Sequence, residues 1–273
     1  MKIVFVPSAQ FTGTHFALSF LSCACKYQSS LVQVRACPGL SITTGVGTTC
    51  FKSHLNLVGG LRKIFLDQWL MSVKNGWDGF IGIAQSHFGN CKGFMSFDQV
   101  DLLSGDFSTL VPVRDPLRVL ASVTARGGAD GANGGNVDST LASFSFMATL
   151  WARKRRGISW LPVDLVSELP SGGRASFLDR VSRSLGLDFD MDLVANFGEK
   201  WPGVGTWTDY VMAHRLGGHF CSIGDTLKKR LEDGDAQGVA RAIPYSFNQL
   251  RKREDEFRPF LDGLGYKNLI WWS

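Results

Sequence analysis

A chain of 273 residues, 44% of them apolar and 19% charged, is long enough to bury one large core or two small ones. Its formal charge of +5 suits an anionic ligand but falls well short of the dense positive charge that argues for nucleic acid. No stretch approaches the ~20 consecutive apolar residues that span a bilayer, and Pro7 cuts the apolar run Ile3–Val6 too short for a secretory leader.

Lys2–Val6 predicts a first, β-rich strand. Thr14–Cys23 predicts a helix in which Phe16, Phe20 and Leu21 share an apolar face. Leu31–Arg35 predicts a second strand, and Pro38–Thr49, rich in Gly, Ser and Thr, predicts a loop. Leu61–Val73 predicts an amphipathic helix with Leu61, Ile64, Phe65 and Trp69 on one side. Gly79–Gln85 predicts a strand ending at Ser86-His87-Phe88, and Thr109–Val113 another, closed by Arg114-Asp115-Pro116. Leu117–Arg126 predicts a helix. Gly127–Asn136 holds five glycines and almost nothing apolar, so a mobile surface loop is expected. Ser139–Arg155 predicts a helix whose basic run Arg153-Lys154-Arg155-Arg156 is a solvated end. Ile158–Val163 predicts a strand, and the chain from Arg174 onward is expected to be mainly helical. The six cysteines (Cys23, Cys25, Cys37, Cys50, Cys91 and Cys221) form no CxxC pair and no zinc-finger spacing with histidine. The chain is therefore expected to be reduced, soluble and cytoplasmic.

The alternation of strands and helices predicts an α/β fold: three α/β/α layers around a central parallel sheet. One domain over residues 1–273 is expected, with the sheet within about residues 1–190 and a mainly helical C-terminal part over about residues 191–273. Ligands of such sheets bind at the carboxyl ends of the strands. The residues after Val6, Gln85 and Val113 all belong there.

Two turns carry chemistry. Ser8 to His15 join a buried strand to a helix, whose first N–H groups and positive dipole end suit an anion. Gly13 permits close approach, and Thr12 and Thr14 add hydroxyls; a simple helix cap with a tight turn is the alternative. No lysine follows Gly13, so the nucleoside-triphosphatase motif is absent. In the second turn, Arg114 leaves a buried strand with a guanidinium suited to phosphate, and Ser122 follows about two helical turns later. A local Arg114–Asp115 ion pair with Ser122 as a packing residue is the alternative.

Together these turns resemble the PAPS-dependent sulfotransferase family, whose domain is P-loop NTPase-like. In that family a strand–loop–helix ending in Gly-Thr-Thr or Gly-Thr-Ser cradles the 5′-phosphosulfate. Thr12-Gly13-Thr14-His15-Phe16 stands in that place. The family's strand–Arg-x-Pro–helix motif, with a serine eight residues after the arginine, holds the 3′-phosphate, and Arg114 and Ser122 have that separation. His87, within Gln85-Ser86-His87-Phe88-Gly89, resembles the general base of the cytosolic branch. Lys200, Gly205 and Trp207 match in spacing a late segment near the 3′-phosphate. Leu161–Leu165 and Leu185-Gly186-Leu187 resemble the strand and helix after the second motif. The chain departs from the pattern at Phe11, where the family carries Lys or Arg, at His15 in place of a threonine, and at Gln85 in place of a lysine.

The resemblance implies transfer of a sulfuryl group from 3′-phosphoadenosine 5′-phosphosulfate (PAPS) to a hydroxyl or amine on a small-molecule or glycan acceptor. The product nucleotide is 3′,5′-bisphosphoadenosine, and no metal is needed. His87 would be the base; His15 or another basic group would replace the cation missing at Phe11. Thr12, Gly13, Thr14, His15, Phe16, Arg114, Ser122, Lys200 and Trp207 would bind the nucleotide. Two other readings stay open: a catalytically impaired nucleotide-binding or regulatory protein on the same fold, which Phe11 favours, and a small-molecule kinase, which needs a lysine-bearing loop and magnesium-binding carboxylates.

Overall fold

The first strand, β1, runs from Lys2 to Ser8, and its last five residues are buried, as expected of an apolar run with helices on both sides. The computed structural model describes residues 1–9, 12–23, 28–35, 40–44, 47–77, 79–87, 95–127, 134–188 and 229–273. Along these follow α1 (Thr14–Cys23), β2 (Gln28–Arg35), β3 (Leu40–Thr44), β4 (Gly47–Phe51), α2 (His54–Lys74) and β5 (Phe80–His87). Next come α3 (Phe97–Asp106), β6 (Ser108–Val113), α4 (Pro116–Gly127), α5 (Gly134–Ala152), β7 (Ile158–Pro162), α6 (Val163–Glu168) and α7 (Ser171–Leu185). The helices α8 (Ala236–Ala242), α9 (Pro244–Arg251) and α10 (Glu254–Gly263) lie towards the C-terminus.

Seven strands form one sheet in the order β4-β3-β2-β5-β1-β6-β7. Five of them, β2-β5-β1-β6-β7, are parallel, whereas β3 and β4 are antiparallel additions at one edge. This overturns the loop expected over Pro38–Thr49. Leu40, Ser41 and Ile42 are buried in β3, and every residue of β4 except Phe51 is exposed. Ser, Thr and Gly favour turns, but threonine also suits a strand, and polar side chains suit an edge strand facing water.

Side chains alternate across the sheet. Val4, Val6, Ile81 and Ile83 pack on α1, α6 and α7, while Phe5, Phe80 and Ala84 pack on α2–α5 and the C-terminal helices. Helices thus cover both faces of a mostly parallel sheet. Close packing has a local signature at Gly82, where a Cβ would sit 2.4 Å from the Phe65 ring. No helix among the described residues is long and apolar enough to cross a membrane.

Other boundaries differ for identifiable reasons. Helix occupies both ends of the stretch expected as a loop over Gly127–Asn136, since α4 reaches Gly127 and α5 begins at Gly134. Leu141, Phe144, Met147 and Leu150 bury one face of α5, and such packing outweighs a glycine cost of about 1 kcal/mol per residue. The basic run is not simply solvated: Arg153 and Arg155 both donate to Asp101 Oδ2 of α3, at 2.8 and 2.6 Å. Lys154 there adopts a left-handed φ of 48°.

The site follows from the topology. The chain leaves β1 for α1 on one face, while β5 and β6, its neighbours, lead into α3 and α4 on the other. Connections that diverge in this way open a crevice at the carboxyl ends of the strands.

Candidate functional site

On one flank of β1 the site is a polar row. Ser8 and His87 end β1 and β5 and are register partners. Ser8 Oγ lies 3.2 Å from His87 Nδ1. The Thr14 hydroxyl, at the start of α1, donates to Ser8 Oγ at 2.7 Å, and Ser8 Oγ donates to the Ser86 carbonyl at 3.4 Å. Ser8 and Thr14 are buried and His87 is half-buried. Burial lowers the His87 pKa; a hydrogen bond with the Ser8 main chain raises it, and the Arg35 guanidinium lowers it. The net direction is downward, so the ring is neutral at neutral pH.

Arg35 ends β2, and the pairing of Val34 with Ser86 sets it beside His87. Its Nη2 donates to Gln33 Oε1 at 2.6 Å, and the residue is exposed. Two residues before His87 on the same face, Gln85 is 3% exposed and its Nε2 has no hydrogen-bond partner among the described residues. A buried, unsatisfied amide is costly, typically about 1–3 kcal/mol.

Between this row and the other flank lies the first turn. The Thr12 hydroxyl donates to the Ala9 carbonyl at 2.9 Å, closing the turn, and Thr12 is fully buried. Gly13 has φ +94°, and a Cβ there would lie 2.7 Å from Val163 Cγ2. Its missing side chain therefore lets α6 approach. Phe16 contributes its side chain to the core against α7. The His15 side chain, Phe11, Phe88, Lys200 and Trp207 lie outside the described residues.

The other flank holds the second turn. Arg114 Nε donates to Asp164 Oδ1 at 3.0 Å, and the main-chain N–H of Asp115 donates to Asp164 Oδ2 at 2.8 Å. Arg118 adds a longer ion pair to Asp164, at 3.8 Å. Among the described residues Arg114 thus pairs with Asp164 rather than with the neighbouring Asp115. Asp115 Oδ1 instead accepts the main-chain N–H of Leu117 and the indole N–H of Trp271, each at 2.9 Å. Burial pushes the Asp115 carboxyl up to about 6 despite these bonds. Tyr266 donates its hydroxyl to the Val113 carbonyl at 3.0 Å. The Ser122 hydroxyl donates back to the Arg118 carbonyl at 3.0 Å within α4.

The two turns meet at α6. Val163 fills the space beside Gly13, and its neighbour Asp164 holds Arg114. The sequence pattern alone does not single out Asp164, Arg35, Tyr266 or Trp271. Asp164 and Arg35 each stand at or just past the carboxyl end of a parallel strand, a position that could have marked them. Nothing local marks Trp271. No protein-family model matches the chain, and no curated protein matches it either.

Proposed function

We propose that the chain is a sulfotransferase on a P-loop-type fold, moving a sulfuryl group from PAPS to a hydroxyl or amine acceptor. The observation that carries this reading is the placement of His87, neutral and bonded to Ser8, beside the turn that begins α1, with Arg114 across β1. The donor set suits an anionic group. Gln85 Nε2 is a buried amide without an acceptor among the described residues, and Arg35 is an exposed cation next to His87. Of the described basic groups, Arg35 lies beside His87 and supplies the charge that Phe11 does not.

The donor nucleotide supplies an activated sulfuryl group. His87 would take the proton of the acceptor hydroxyl or amine as the sulfuryl group passes to that atom and the 5′-phosphate leaves. The α1 N-terminus stabilises the charge gathering on that phosphate. Arg114, oriented by Asp164, holds the 3′-phosphate, and Ser122 joins it on turning its hydroxyl away from the Arg118 carbonyl.

Calorimetric titration with 3′,5′-bisphosphoadenosine, alongside transfer of radiolabelled sulfate to a panel of hydroxylated acceptors, tests the proposal. Binding with transfer supports it, and absence of binding rejects it. Binding without transfer would favour the impaired, regulatory reading, for which Phe11 in place of a cation is the specific observation. Stabilisation by ATP with magnesium, and none by PAPS, would indicate a kinase.

A further inference from the structure

We propose that Ser8 is a positioning residue that holds His87 as its Nδ1–H tautomer, which makes Nε2 the basic nitrogen of the ring. The argument is a count of protons. A serine hydroxyl has one proton to give and two lone pairs to receive with. Thr14 gives its proton to Ser8 Oγ, and Ser8 gives its own to the Ser86 carbonyl. With its proton on the Ser86 carbonyl, Ser8 Oγ faces Nδ1, 3.2 Å away, with a lone pair, and the proton between them then belongs to the ring.

Ser8 also touches the ring through its main chain. The hydrogen bond with the Ser8 main chain raises the His87 pKa, which is the effect of a carbonyl accepting from a ring N–H. The two strands make this arrangement rigid. Ser8 and His87 are paired residues of adjacent parallel strands, Ser8 is fully buried, and the Met95 main-chain N–H donates to the His87 carbonyl at 2.9 Å. Fixing a tautomer through the bond made by the other ring nitrogen is how a histidine is prepared as a base.

The tautomer stands independently of the reaction; its consequence for sulfuryl transfer rests on the function proposed above. Long-range nitrogen–proton NMR on the full chain, labelled with ¹⁵N-histidine, reads it directly. The His87 signals are identified by their loss in His87→Gln. Protonated Nδ1 and unprotonated Nε2 in the unsubstituted protein at neutral pH, with a shift toward the Nε2–H form in Ser8→Ala, are expected. An Nε2–H ring in the unsubstituted protein overturns the proposal, as does an unchanged ratio in folded Ser8→Ala. If Ser8→Ala does not fold, the unsubstituted spectrum decides. In a transfer assay, Ser8→Ala should lower kcat by on the order of tenfold or more with the donor KM little changed. An Nδ1–H ring in a protein that binds no bisphosphate would uphold the tautomer and reject the sulfotransferase.

Discussion

Asp164 grips Arg114 through one carboxylate oxygen and the main chain of the next residue through the other, at 3.0 and 2.8 Å. The carboxylate is buried while the Arg114 side chain is 27% exposed. The pair therefore fixes an arginine just past the carboxyl end of β6. It also lowers the positive potential that the arginine offers to a phosphate, and the two effects oppose each other in binding.

Replacing Arg114 by Ala should weaken 3′,5′-bisphosphoadenosine by on the order of tenfold or more. Lysine should restore only part of this, because an ammonium cannot satisfy Asp164 and a phosphate as a planar fork does. Calorimetry on the two variants checks it, and equal affinity in all three proteins would remove Arg114 from the site.

Asp164→Ala leaves a partly buried guanidinium and a buried N–H without their acceptor. A loss of about 2 kcal/mol in urea unfolding is expected, discounted for the exposure of Arg114. Asp164→Asn, which keeps an acceptor, should lose less.

His87→Ala should abolish transfer with bisphosphate affinity changed less than about threefold. Because the His87 pKa is lowered from its ordinary 6.5, the base stays neutral until the pH falls below that value. In the unsubstituted protein the midpoint of the acid limb of kcat/KM should then lie below 6.5. A midpoint above 6.5 for that limb would contradict the assignment.

The strand ends and the two turns were legible because they are local features: apolar runs of strand length, punctuated by Gly13 or by Arg114-Asp115-Pro116. The hairpin of β3 and β4 was not, since its Ser and Thr suit both turns and solvent-facing strands. The partners of the site residues were hidden for a different reason. Arg114 and Asp164 are separated by 50 residues and Asp115 and Trp271 by 156. The first pair needs β6 beside β7, and the second needs the C-terminal segment packed under β6. Arg35 reaches His87 only because β5 inserts between β1 and β2. Strand order is a property of the whole chain, and no window of sequence carries it.

Gly13 separates a packing role from a ligand role. Gly13→Ala forces a left-handed φ of +94° on a residue with a Cβ and drives that Cβ into Val163. A destabilisation of about 2 kcal/mol or more is expected. Adding Val163→Ala relieves the collision but not the φ strain, so stability should recover in part relative to the sum of the single changes. Thermal unfolding of the two singles and the double measures that coupling. Strict additivity would mean that Val163 does not explain the glycine.

Asp115 links the second turn to the C-terminal segment and should register as a pH dependence of stability. Its carboxyl rises from an ordinary 3.8 to about 6 in the folded chain, chiefly through burial. The folded state therefore holds this proton more tightly than the unfolded state. The associated stability is fully present below pH 3.8 and is lost as the pH rises through about 6. The difference corresponds to about 3 kcal/mol at most. Asp115→Asn, which keeps the oxygen accepting from Leu117 and Trp271, should flatten the urea-unfolding free energy between pH 4 and 6. Trp271→Phe keeps the ring but removes the indole N–H. It should cost about 1–2 kcal/mol and steepen that slope, because the carboxylate loses a donor that favours its charged form. The opposite change of slope would mean that the indole bond does not stabilise the ionised carboxyl, and that the C-terminal segment is attached to the second turn by packing alone.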